Sequence, residues 1–159
     1  MEIIKNTEAL SIAINDGLNP KYVFFWGHTQ KRENEIEQSC FSQWFSLPFE
    51  QNGIQYQTAE HYMMEKKALL FGDEDSAEKI LRSKSPGEAK ALGRKILNFN
   101  EDTWLKNRWE IVVAGNLAKF GNNVNILNYL IGTGDRVLVE ASPVDRIWGI
   151  GLDLSLIHI

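Results

Sequence analysis

At 159 residues, 43% of them hydrophobic, the chain is long enough to bury one good core and short for two. Its net charge of −4 argues against broad, sequence-independent binding to duplex nucleic acid. No apolar run of membrane-spanning length and no charged-then-apolar leader occurs, and a single cysteine, Cys40, excludes an internal disulfide or a multi-cysteine metal site, so the expectation is one soluble, cytoplasmic domain with Cys40 buried as a small hydrophobe.

In chain order, residues 6–15 read as a short helix ended by Gly17 and the Asn19-Pro20 breaker, which makes 1–20 an N-terminal extension. Tyr22-Val23-Phe24-Phe25-Trp26 is a β-branched and aromatic run closed by Gly27, hence a strand, and polar residues 28–38 form a surface excursion. Phe41 to Phe45 leads into residues 48–56, where Asn52-Gly53 predicts a hairpin. The period then becomes helical. Thr58 is placed to cap a helix over 59–71 that stops at Gly72, with Tyr62, Met63, Leu69 and Leu70 as its buried stripe. A second helix covers 74–83. Ser85-Pro86-Gly87-Glu88 is a capping box with proline at the first helical position, opening a helix to about Leu97. Asn100 caps a longer one to Phe120, with a stripe of Leu105, Trp109, Val112, Val113, Leu117 and Phe120, and a last helix spans 123–131. Val137-Leu138-Val139 is a short strand after the turn at 132–135. The sum is a mainly α, multihelical domain over 21–153 with a few short strands near its site. The tail 154–159 fits no capping or turn logic and is set aside.

Two segments concentrate chemistry. In Gln57-Thr58-Ala59-Glu60-His61-Tyr62-Met63-Met64-Glu65-Lys66-Lys67-Ala68, Glu60 falls in the first helical turn, where unbonded N–H groups and the helix dipole favour its charged form. Lys67 lies seven residues on, which returns it to nearly the same face. Either both are solvated charges on an amphipathic helix, or a carboxylate and an amine share one cavity. In Glu140-Ala141-Ser142-Pro143-Val144-Asp145-Arg146-Ile147-Trp148-Gly149-Ile150-Gly151, Pro143 marks a strand exit and Asp145 lies three residues from Trp148 in a short loop. Asp145 either closes an Asx turn beside a core-plugging Trp148, or stands as an acid against a flat wall that can hold a heterocycle.

Other chemistries are poorly supported. The glycine pairs at 132/134 and 149/151 make no Walker or dinucleotide fingerprint, no Gly-x-Ser-x-Gly elbow exists, and Cys40 has no evident base partner. His61 and Glu65 lie one turn apart, but with three histidines in all and no third ligand in view a structural role is favoured over a metal. Charge is uneven: residues 61–120 hold 11 Lys and Arg against 9 Asp and Glu, whereas the rest hold 6 against 12. A phosphorylated small molecule suits the basic middle, as does the plainer reading of a solvated helical surface.

With these residues in place, the chain resembles the NADAR or YbiA-like family. The matching pieces are Phe24-Phe25-Trp26-Gly27, Cys40 to Phe45 before Pro48-Phe49, Tyr56 to Met63 with Lys67-Ala68, Ala89 to Arg94, Trp104 with Arg108, Lys119-Phe120, and Glu140 to Leu152. One departure is Ser42-Gln43-Trp44-Phe45, where many relatives have Ser-Asn-Phe-Tyr. The resemblance implies an α-rich enzyme that hydrolyses N-glycosidic bonds without a cofactor or metal. It implies, as substrate, a small phosphorylated ribosyl-pyrimidine of the early riboflavin pathway, with ADP-ribosylated guanine as the second candidate, and no membrane or obligate protein partner. Carried over residue by residue, it places Glu60, Asp145 and Lys67 in catalysis and Trp148, Trp26, Ser42, Phe45 and Gly149 against substrate. Which carboxylate orients water and which stabilises the transition state stays open, as does the choice for Lys67 between binding oxygens and forming a Schiff base. A non-catalytic module binding ADP-ribose is the competing class.

Overall fold

A computed structural model describes residues 4, 6–30, 32, 35–142 and 149. The chain divides into two compact units, 1–25 with 132–159, and 26–131. In the first, helix α1 (Thr7–Asn15) starts where Asn6 accepts the Ala9 N–H at 2.8 Å through its side chain. Strand β1 (Tyr22–Phe25) pairs in parallel with the strand over Val137–Glu140, in the register Tyr22 with Val137 and Phe25 with Glu140. The sequence predicts both strands but not their union, since more than a hundred residues separate them.

The second unit is helical. A 3₁₀ turn (Gln38–Phe41) precedes the hairpin of β2 (Phe49–Gln51) and β3 (Ile54–Tyr56). Asn52 and Gly53 both take positive φ, 53° and 79°, as a two-residue turn between right-twisted strands requires. Helices α2 (Ala59–Leu70), α3 (Glu74–Leu81), α4 (Pro86–Gly93), α5 (Glu101–Gly121) and α6 (Val124–Ile131) follow, and β4 (Val137–Glu140) is the partner of β1 in the first unit. The predicted caps Thr58, Ser85 and Asn100 each accept a backbone N–H at the helix start, and Asp73 does the same for α3.

Three expectations are corrected. Helix α4 ends at Gly93 rather than near Leu97. The Leu97 N–H donates to Asp73 Oδ2 at 2.9 Å and Asn98 takes a φ of 54°, so the backbone beyond Gly93 is committed elsewhere. The stripe on α5 is rotated: of its expected members Leu105, Trp109, Val113 and Leu117 are exposed and only Val112 and Phe120 turn inward, where Trp104, Ile111, Ala114 and Ala118 also pack on the core. Helix α2 approaches α5 at Gly115, where Tyr62 lies so close that a large apolar residue has no room. On α2 itself Leu69 is exposed, while Ala59 through Glu65 are all buried because α3, α4 and α5 pack round it. Tyr56 and Phe49 close one end, with the Tyr56 and Tyr62 rings edge-on at 5.0 Å.

Candidate active site

Only Gln57 and Thr58 separate β3 from α2, so the hairpin fixes where the helix begins. Thr58 is extended and its Oγ1 accepts the His61 N–H at 3.4 Å, which starts the helix at Ala59 and puts Glu60 in the first turn. Glu60 is 2% exposed, not a solvated surface acid. Its backbone N–H donates to the Gln43 carbonyl at 3.0 Å, tying the segment that holds Ser42 and Phe45 to the helix start.

That segment is held from several directions. The Ser42 hydroxyl accepts the Trp44 N–H at 3.2 Å, and the Ser42 carbonyl accepts the Phe45 N–H at 3.2 Å. Gln43 Nε2 donates to Asn116 Oδ1 on α5 at 3.0 Å. Lys119 Nζ, also from α5, donates to the Ser42 carbonyl at 2.7 Å. Ser42 and Phe45 are both buried. Trp44 is half-buried beside the His28 ring at 5.5 Å, with Lys90 Nζ 5.7 Å from its own ring centroid. Trp44, a departure in the sequence, is thus fixed by its neighbours on either side, Ser42 and Phe45.

Lys67 stands two turns after Glu60. Its Nζ donates to the Gly93 carbonyl at the end of α4, 2.8 Å away, and sits 4.4 Å from the Phe99 ring centroid and 5.5 Å from that of Trp104. Burial first, then the Arg94 charge, lower its pKa; the Glu60 charge opposes them. The Glu60 charge, two turns away on the same helix, is thus the smallest of the three influences on Lys67.

Trp26 follows β1 and is 69% exposed, so it can face a ligand only from the protein surface. Asp145 and Trp148 lie outside the described residues, and Gly149 is a half-buried bend. The metal reading of His61 and Glu65 dissolves: His61 Nδ1 faces Thr58 Oγ1 at 2.8 Å and Nε2 faces the Ser83 carbonyl at 3.3 Å, a pattern met by the Nε2–H tautomer with the threonine hydroxyl donating to Nδ1. Glu65 accepts the Tyr56 hydroxyl at 3.3 Å and pairs with Lys66 at 3.2 Å. Among the described residues no cluster of three or more metal-ligating side chains occurs. A cavity of about 430 Å³ lies on the His61 side of the α2 start, lined among others by Ser46, Thr58, His61, Arg82 and Lys84. Glu60 is not among its lining residues.

Comparison with known proteins converges on one family. The NADAR domain matches residues 24–156. Over 137 residues the chain is 44% identical to an N-glycosidase of Acanthamoeba polyphaga mimivirus, covering 83% of this chain and 79% of that protein. It is 31% identical over 102 residues to a riboflavin biosynthesis protein of Vibrio vulnificus, covering 64% of this chain and 27% of that protein. The NMR structure of the Escherichia coli protein YbiA is similar in fold, with a TM-score of 0.71 at 25% identity over 84% of this chain and 74% of that one.

Proposed function

Because the chain belongs to the NADAR domain family, we propose that it is an N-glycosidase, cleaving the C–N bond between ribose 5-phosphate and a pyrimidine of the early riboflavin pathway. The reaction class is supported by the relatives named as N-glycosidases and the pathway by those named as riboflavin biosynthesis proteins. The observation that carries the reading is the buried Glu60 carboxylate at the start of α2, within electrostatic reach of the Lys67 amine.

Breaking a ribosyl C–N bond builds positive charge on the anomeric carbon, so a carboxylate fixed there beforehand stabilises the transition state more than the ground state. Water adds to that carbon, the base leaves on its nitrogen, and one proton passes from the water to the base. Glu60 and Asp145 divide the two carboxylate roles, stabilising the cation and orienting the water, as paired carboxylates do in glycosidases. Lys67 acts as a point charge towards sugar or phosphate oxygens; its bond to the Gly93 carbonyl supports that role over a nucleophilic one. Trp148 and Phe45 supply flat surfaces for the base and Trp26 a further one, and Ser42 and Gly149 are assigned to substrate by the family resemblance.

The test is release of ribose 5-phosphate from the phosphorylated ribosylaminopyrimidines, with Glu60→Gln as control. Loss of one preorganised charge predicts a fall in kcat of about a hundredfold or more in a protein of unchanged helicity. Wild-type-like turnover by folded Glu60→Gln would overturn the assignment. Cleavage of ADP-ribosylated guanine alone would move the substrate to that class.

A further inference from the structure

Lys119 is the one lysine of the described residues that is fully buried, at 0% exposure, and nothing in the reaction above uses it. It lies one turn after Gly115 on the face of α5 that meets α2, and its amine reaches the stretch between the 3₁₀ turn and β2. We propose that Lys119 is a positioning residue: its ammonium pins the Ser42 carbonyl, and through it the Ser42–Phe45 wall, against the Glu60 end of α2. The inference rests on the glycosidase reading only for the identity of the substrate that the wall meets.

The geometry is that of a fastener. At 2.7 Å the Lys119–Ser42 contact is a short charge-assisted bond. The same carbonyl accepts the Phe45 N–H, and the next carbonyl, that of Gln43, accepts the Glu60 N–H. Two carbonyls in succession thus receive α5, the turn and α2. The amine has no access to substrate: the rings of Phe45 and Phe120 stand 6.0 Å and 5.3 Å from Nζ, and Cys40 lies beside it at 1% exposure. Burial lowers the lysine to about 8 and raises the Cys40 thiol to about 11, so near neutral pH the pair is ammonium and thiol, the form in which Lys119 holds the carbonyl best. Lysine is costly to bury, and an aliphatic side chain would fill this space at lower cost unless the fixed carbonyl mattered.

The experiment is Lys119→Met, which keeps the length of the side chain and removes the donor. Hydrogen exchange should quicken at the Phe45 and Glu60 amides while the amides of α3 keep their protection, and KM for the ribosylaminopyrimidine phosphate should rise about tenfold or more with kcat changed far less. Should Lys119→Met not fold, Lys119→Gln, a neutral donor of shorter reach, takes its place with the same expected outcomes. Unchanged exchange at Phe45 and Glu60 in a folded variant overturns the proposal. So does equal quickening throughout α2 and α3, which marks general loosening. Exchange does not depend on turnover: a wild type that releases no sugar phosphate sinks the glycosidase reading and leaves the fastener to be judged by its amides.

Discussion

His61 shows how a single side chain couples this core to pH. Its ring is 1% exposed and both nitrogens have partners, so the neutral form is built in. Burial lowers its pKa below 6.5, an effect that the Ser83 carbonyl and the Glu88 charge oppose but do not reverse. The unfolded chain therefore takes up a proton that the folded one refuses. Stability is complete above about pH 6.5 and declines as pH falls from there towards the folded pKa, by at most about 1.4 kcal/mol per pH unit for one proton. Urea midpoints at pH 7.5 and 5.5 should show this decline. His61→Gln should start less stable and lose less between the two values; an equal loss would assign the pH dependence to other groups. Asp73 titrates in a separate window, since the Leu97 and Ser76 N–H groups hold it below 3.8 and its contribution disappears only in stronger acid.

Among elements, the approach of α2 to α5 decides how the core is built. A Cβ on Gly115 would stand 2.6 Å from Tyr62 Cδ1, and that ring is backed by Tyr56 and Phe49. Gly115→Ala should therefore destabilise by about 1–3 kcal/mol through overpacking. Gly121, on the same helix with nothing within 4 Å of its would-be Cβ, gives the control, and Gly121→Ala should be neutral or stabilising by up to about 1 kcal/mol. Thermal melts of the two variants distinguish steric contact from helix propensity, and matching melts would remove the contact from the explanation.

The same interface explains what could be read in advance. Caps are local chemistry, so Thr58, Ser85 and Asn100 announce their helices and Asn52-Gly53 its turn. Helix α2 carries Glu60, His61, Glu65, Lys66 and Lys67, which reads as a half-solvated helix until the partners of those groups are seen. On α5 four of the six expected apolar residues lie off the buried face, which Val112 and Phe120 share with the small Gly115 and Ala118. The seven-residue spacing of Glu60 and Lys67 is legible because one helix relates them, whereas the burial of Glu60 is not. Lys119 is not, because its partner lies 77 residues away and only the folded chain puts a carbonyl in front of it.

For the molecule as a whole, charge separates the small-molecule reading from cleavage of a base in nucleic acid. A net charge of −4, with a basic excess of only 11 against 9 in residues 61–120, argues against a tight hold on a long polyanion. A sugar phosphate needs only a few local contacts, and a cation half-buried as Lys67 is screened less by salt than a surface patch. Raising monovalent salt from about 50 to 200 mM should therefore change KM for the ribosylaminopyrimidine phosphate by less than about threefold, whereas a site spanning six or more phosphates would lose about a thousandfold in affinity. Initial rates at both salt concentrations make the comparison directly. A steep salt dependence with ADP-ribosylated guanine in an oligonucleotide, together with faster turnover of it than of the pyrimidine, would make nucleic acid the substrate despite the acidic balance of the chain, and would place the needed cations in residues 61–120, where Arg82 and Lys84 line the cavity beside the start of α2.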